Sequence, residues 1–435
     1  MSDTFVPLPV NKKIFLRLSQ STLLFIIYSS VTVFVIYTCM YGFRKPYTVG
    51  LYEGITYLGV SYKVCLVIAQ VLGYMISKFI GIKFISSIIP KKRANYLMIC
   101  IAVAWTSLFL FAIIPPPFNI LCMFINGLPL GMVFGLVFGF IEGRRTTEIM
   151  GAMLAVSFIF ASGLAKTIGK WLLLELNTSE WWMPFVAGAI FVIPFLVFVW
   201  LIQQLPPPTS DDIEARNIRL PMTNLERKLF LKKFWIPMTF VVIAYAIFTI
   251  VRDFCEDFGN ELWTETGYKN TIGIFANTST IISFVVLLFI AAFFLIKNNK
   301  LAFRLSHYLV ILGLTLVILA TILYNLNSIS TITWMLMATS GLYLAYLPFN
   351  CLYFERMLST YKMTANIGFV MYIADAFGYL GTVIVLLIKE FVTIKYSWVD
   401  FFSILFYTAG FIGILLMVIT TIIHSNFIKK LNVIQ

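Results

Sequence analysis

Apolar stretches of about twenty residues recur along the whole chain, separated by short polar segments. A mostly apolar helix of about 20 residues is what a bilayer core requires, so the pattern predicts membrane-spanning helices. They fall near residues 20–44, 61–88, 94–114, 118–142, 148–173, 182–203, 234–258, 270–296, 303–324, 331–354, 366–388 and 400–424. The stretches do not alternate apolar with polar as the strands of a transmembrane barrel do. The longest polar interruption, residues 204–233, opens with Pro206-Pro207-Pro208, carries Asp211, Asp212 and Glu214, and ends with Arg227, Lys228, Lys232 and Lys233. It reads as a linker with a surface helix. The predicted organisation is a six-helix bundle over residues 1–203, a linker over 204–233, and a second six-helix bundle over 234–435. The fold class is all-α and polytopic, with about twelve spans in two halves.

Composition agrees. The chain is 60% hydrophobic and 12% charged, with a mean hydropathy of +0.93. Soluble domains carry about 25% charged residues. The net charge of +13 invites a nucleic-acid reading, but the cations fall mostly between the apolar stretches. Membrane topology accounts for that placement, and no nucleic-acid partner is expected. With the N-terminus in the cytoplasm, one side receives Lys91-Lys92-Arg93, Arg144-Arg145, the linker cations, Lys297, Arg356 and Lys362. The other side receives the cation-free Pro115-Pro116-Pro117 and the segment 325–333. Both termini are therefore expected in the cytoplasm, and the first apolar stretch is expected to be an uncleaved span. The six cysteines lie in or beside apolar stretches without a CxxC pair, so neither disulfides nor a metal are expected.

Charge inside an apolar stretch is costly, so it singles out candidate chemistry. Tyr37, Tyr41 and Arg44 are spaced i, i+4, i+7 on the first span, and Tyr245, Thr249 and Arg252 repeat that spacing on the seventh. A repeated arginine at matching depth suits an oxyanion, because guanidinium offers paired donors at fixed geometry. The alternative is that both arginines snorkel at the interface. Lys166 lies about mid-span in the fifth stretch, with Lys170 a turn on; it is either a substrate-facing cation or a snorkelling one. Asp375 falls near the middle of the eleventh, where a carboxyl must be protonated, paired or proton-coupling. Glu256 and Asp257 are placed to pair with Arg252. Gly127, Gly131, Gly135, Gly139 and Gly143 recur every four residues and predict a ridge for close helix packing. Pro46, Pro129, Pro194, Pro237 and Pro348 are expected to bend spans.

Two sets of six helices around a long linker are the plan of the major facilitator superfamily, whose halves are parallel repeats with the substrate between them. Within it, the chain resembles the organophosphate:phosphate antiporter branch, the glycerol-3-phosphate and hexose-phosphate transporters. The resemblance rests on Arg44-Lys45 on the first span, Tyr74 to Gly81 with Ser77-Lys78-Phe79 on the second, Arg252 followed by Asp257-Phe258 on the seventh, and Phe377-Gly378-Tyr379-Leu380-Gly381 on the eleventh. It implies that Arg44 and Arg252 bind substrate phosphate, with Lys45, Lys78 and Tyr41 in support. The chain departs from that pattern in three places. The Asp-Arg element after the second helix is not evident in Ile82-Lys83-Phe84-Ile85, the fifth span has Ala161 to Lys166 where a histidine is expected, and Phe258 stands for a tryptophan.

The implied function is secondary transport of a small anionic, phosphorylated solute by alternating access, with phosphate-linked exchange. Alternatives are a proton-coupled carrier of another anion or amphiphile using Asp375, and a non-transporting sugar-phosphate receptor on the same fold. No catalytic set, metal cluster or phosphate loop is present in the sequence, so no enzyme and no cofactor are expected. The expected partners are the solute and membrane lipid, the expected state is a monomer, and the expected location is the inner membrane.

Overall fold

A computed structural model describes residues 11–144, 146–209, 212, 224–361, 367–391 and 397–434. Arg145, Asp211, Glu214, Lys362, Asn366 and most of the expected linker lie outside the described residues. A short helix, α1 (Lys12–Gln20), precedes six long ones: α2 (Thr22–Gly42), α3 (Tyr62–Ser87), α4 (Arg93–Ile113), α5 (Ile120–Ile141), α6 (Thr147–Leu174) and α7 (Met183–Ile202). Six more long helices follow: α8 (Asn224–Glu265), α9 (Ile274–Phe294), α10 (Asn299–Asn325), α11 (Thr331–Cys351), then, after the short α12 (Tyr353–Thr360), α13 (Ile367–Phe391) and α14 (Trp398–Ile434). Eleven of these are long and apolar enough to cross a membrane. The protein is a multi-pass membrane protein.

Local sequence explains several boundaries. Ser21, Asn298 and Ser330 accept the backbone N–H three residues on and so cap α2, α10 and α11. The α2 helix stops at Gly42, four residues before Pro46, whose missing N–H cannot bond the Gly42 carbonyl and whose ring crowds it. Pro46 starts a one-turn 3-10 helix to Val49, so it does not bend the first span as expected. Pro129, Pro194, Pro237 and Pro348 do lie inside helices. A feature not read in the sequence is a hairpin of Thr56–Tyr57 with Val60–Ser61. Its turn residues Leu58 and Gly59 both have positive φ, as a tight hairpin turn requires. The linker-side expectation also shifts: α8 begins at Asn224, ten residues earlier than the span boundary read at 234.

Within the first half, α3 packs along α5 and α2 along α6. The glycine ridge makes the first contact possible: a methyl on Gly127 would overlap the carbonyl oxygen of Gln70, and one on Gly131 would strike Ser77. Within the second half, α10 packs on α11 and α8 on α13 and α14. Between the halves, α3 lies against α13 and α6 against α9. Arg144, read in the sequence as a loop cation, is buried. Its guanidinium sits 4.8 Å over Phe25 and donates to the Pro206 carbonyl, and burial lowers its pKa to about 10 against the pull of Asp212.

Candidate functional site

Arg44 lies two residues past the end of α2, where the chain leaves the helix between the two halves. The carbonyls freed by that ending are taken up by polar side chains of the first half. Gln70 donates to the Arg44 carbonyl at 3.1 Å, Asn126 donates to the Phe43 carbonyl at 3.1 Å, and the two amides bond each other at 2.8 Å. The backbone that carries Arg44 is thus fixed, and its side chain is only 5% exposed. It does not snorkel to an interface. The guanidinium carbon stands 4.0 Å over the Tyr74 ring and 5.7 Å from that of Tyr41. Among the described residues it has no carboxylate partner, and its enclosed Nε has no hydrogen bond.

Every other cation expected here is paired. Lys45 is 2.5 Å from Asp257, Lys78 is 3.1 Å from Asp375, and Lys166 is 3.3 Å from Glu256. Lys166 is therefore a buried partner rather than a snorkelling one. Arg252 is held by Asp253, with Nη2 at 2.5 Å and Nε at 3.2 Å from Oδ1. That corrects the expected pairing with Glu256 or Asp257, both of which reach across to the other half. Arg252 also donates to the Tyr346 hydroxyl and, at 3.4 Å, to that of Tyr379. Thr382 donates to the second Asp253 oxygen at 2.8 Å. Asp375 accepts from the Tyr245 hydroxyl at 2.5 Å, so the carboxyl is paired from both sides.

The two arginines are joined through tyrosines. The rings of Tyr74, under Arg44, and Tyr379, beside Arg252, meet at 5.0 Å across the boundary between halves. Their surroundings differ despite the repeated spacing: Arg252 is inside α8, while Arg44 is beyond the end of α2. Hence the pair is one free guanidinium and one neutralised guanidinium, not two equal anion donors.

A model for the Family of unknown function (DUF5690) matches residues 46–427. The chain belongs to this family. No curated protein matches it by sequence. Solved structures similar to this DUF5690 chain include a D-xylose-proton symporter, at 13% identity and TM-score 0.60, covering 92% of this chain and 97% of that one. A variant of the nucleoside transporter NupG matches at 14% identity and TM-score 0.56, covering 91% and 98%. A bacterial homolog of the human lysosomal transporter Spinster, inward-facing and unoccupied, matches at 12% identity and TM-score 0.57, covering 93% and 96%. The fold is that of the major facilitator superfamily.

The DUF5690 chain also contains pairs that the sequence reading missed. At the end of the bundle away from the linker, Lys63 is 2.5 Å from Glu261 and Asn260 donates to the Val49 carbonyl at 2.9 Å. A cavity of about 360 Å³ opens there, lined by Lys63, Phe258, Glu261, Lys389 and Trp398 among others. At the linker end, Arg356 of α12 is 3.2 Å from Glu148 of α6. The signal that would have found Asp253 and Glu261 was present: Asp253, Asp257 and Glu261 recur every four residues, one face of α8. Among the described residues no group of three or more possible ligands is placed to hold a metal ion.

Proposed function

We propose that this DUF5690 chain is a secondary transporter of a small anionic solute, with Arg44 as its principal anion contact. The observation that carries the reading is the buried Arg44 guanidinium without a carboxylate, in a site where the neighbouring cations all have one. An enclosed, uncompensated guanidinium is costly, and an anionic ligand supplies the missing partner. Its place between two six-helix halves suits alternating access, in which each half carries part of the site. The transporters named among the structural neighbours support carriage over catalysis. The resemblance of Arg44-Lys45, Lys78 and Phe377 to Gly381 to the organophosphate:phosphate antiporters supports a phosphorylated solute and exchange. On this reading the halves are residues 1–203 and 234–435, the carrier works as a monomer, and it sits in the inner membrane with both termini cytoplasmic.

The test is thermal stabilisation of the purified protein by inorganic phosphate, phosphate esters and carboxylates, since a ligand of the folded state raises the melting temperature with its concentration. Wild type should shift, and Arg44→Ala should not. Arg44→Lys keeps the charge but loses the planar fork, worth about 1.5–3 kcal/mol for a charged hydrogen bond, so affinity should fall roughly 10- to 100-fold. Equal shifts in wild type and Arg44→Ala would remove Arg44 from the site. A second reading, proton-coupled uptake, draws on Asp375, whose carboxyl is shared between Lys78 of one half and Tyr245 of the other.

A further inference from the structure

The charges enclosed around Arg44 do not sum to zero, and the remainder bears on what the site accepts. Between the halves, the described residues place five cations: Arg44, Lys45, Lys78, Lys166 and Arg252. They place four carboxylates: Asp253, Glu256, Asp257 and Asp375. Each carboxylate belongs to one cation, and Arg44 is left over. Toward the far end, Lys63 and Glu261 balance each other. Lys170, another buried cation without a carboxylate, lies one turn beyond Lys166 toward that end, its amine 3.4 Å from both Asn260 Oδ1 and the Tyr268 carbonyl.

From this balance, and resting on the anion reading above, we infer that the site takes an organic monoanion: a carboxylate, a phosphodiester or a singly ionised phosphate ester. One negative charge on Arg44 neutralises the enclosed set. A dianion leaves one charge uncompensated in a place with little water, unless a second cation is freed for it. One candidate is Arg252, and freeing it strips Asp253 of its guanidinium and leaves that carboxylate with the Thr382 hydroxyl alone. The body of the solute has a matching surface. Tyr41 and Tyr74 lie under the Arg44 guanidinium, Tyr37 meets Tyr41 at 5.6 Å with the rings tilted by 60°, and Tyr379 meets Tyr74 at 5.0 Å. These faces and hydroxyls favour a ring beside the anion.

The experiment compares probes that share a ring and differ in charge. At pH 8 phenyl phosphate is a dianion, because its second ionisation lies near pH ~6, whereas methyl phenyl phosphate and benzoate are monoanions. Glucuronate and glucose 6-phosphate make a second pair with a sugar body. Thermal stabilisation of the detergent-purified full chain should reach the same upward shift at a concentration at least ~10-fold lower for the monoanion of each pair, a ratio worth about 1.4 kcal/mol. Asp253→Asn unpairs Arg252 and adds one positive charge, so it should shift the ratio toward the dianion by ~10-fold or more. Glu256→Gln does the same through Lys166 and serves if Asp253→Asn fails to fold. Parity or preference for the dianion in wild type overturns the inference, as does an unchanged ratio in the folded variants. No shift with any probe overturns the anion site itself, which separates the two failures.

Discussion

A buried charged side chain has three ways to be tolerated: a counter-ion, a hydrogen-bond cage, or a ligand. Lys45, Lys78, Lys166 and Arg252 use the first, and the proposed anion site gives Arg44 the third. The sequence marked both arginines and most of their neighbours, because charge in an apolar stretch stands out. It did not show who pairs with whom. Adjacent side chains on a helix do not usually face each other, so the sequence offers Arg252 Glu256 or Asp257 and not Asp253 beside it. The actual choice is made by the other half, which draws Glu256 to Lys166 and Asp257 to Lys45. Asp375 is the residue where this matters for coupling. It is held by Lys78 at 3.1 Å and Tyr245 at 2.5 Å, one partner from each half, so protonating it weakens a bond between the halves. If uptake is proton-coupled through it, an imposed inward pH gradient should accelerate uptake in wild-type proteoliposomes and do nothing in Asp375→Asn. A variant that still answers the gradient would place the coupling elsewhere.

At the scale of elements, the spans were legible to within a few residues wherever both ends were polar, and less so where a polar helix runs on into an apolar one. The α8 helix starts at Asn224 because its basic, charged first turns are helical as well as its apolar part. The end of α2 was misread for the opposite reason: the apolar pattern continues to Phe43, but Pro46 forbids the helix that the pattern invites. The glycine ridge could be read as a contact surface, though not its partner. That partner is α3, with Gly73 of α3 close against the Phe124 carbonyl and Gly127 of α5 against that of Gln70. Backbone cannot move aside as a side chain can. Gly127→Val should therefore separate α3 from α5 and disturb Gln70, which holds the Arg44 carbonyl. Overpacking of this kind costs about 1–3 kcal/mol or more, so the melting temperature in detergent should fall by several degrees and anion binding should weaken with it. A Gly127→Val protein that melts and binds like wild type would mean that the two helices are not in backbone contact.

Across the whole molecule, the ion pairs between halves are spread along the full length of the bundle. Lys63–Glu261 and Lys45–Asp257 lie toward the end away from the linker, Lys166–Glu256 and Lys78–Asp375 follow, and Glu148–Arg356 closes the linker end. Four of the five take the cation from the first half and the acid from the second, a polarity that fixes which faces meet. The two-half plan was legible from spans and linker, but these contacts were not, since a sequence read helix by helix carries no record of which helices oppose each other. A carrier that opens alternately to each side must break the pairs at one end while keeping those at the other. In a background with the six native cysteines replaced, Lys63→Cys with Glu261→Cys, joined by a reducible bis-thiol reagent, should stop uptake into proteoliposomes, and so should Glu148→Cys with Arg356→Cys. Reduction should restore both, and the single-cysteine variants treated alike should stay active. Uptake that persists with the far end joined would mean that this end does not open, and alternating access would fail for this chain. Persistence at the linker end would say the same of that side, so the two cross-links together test whether both ends are gates.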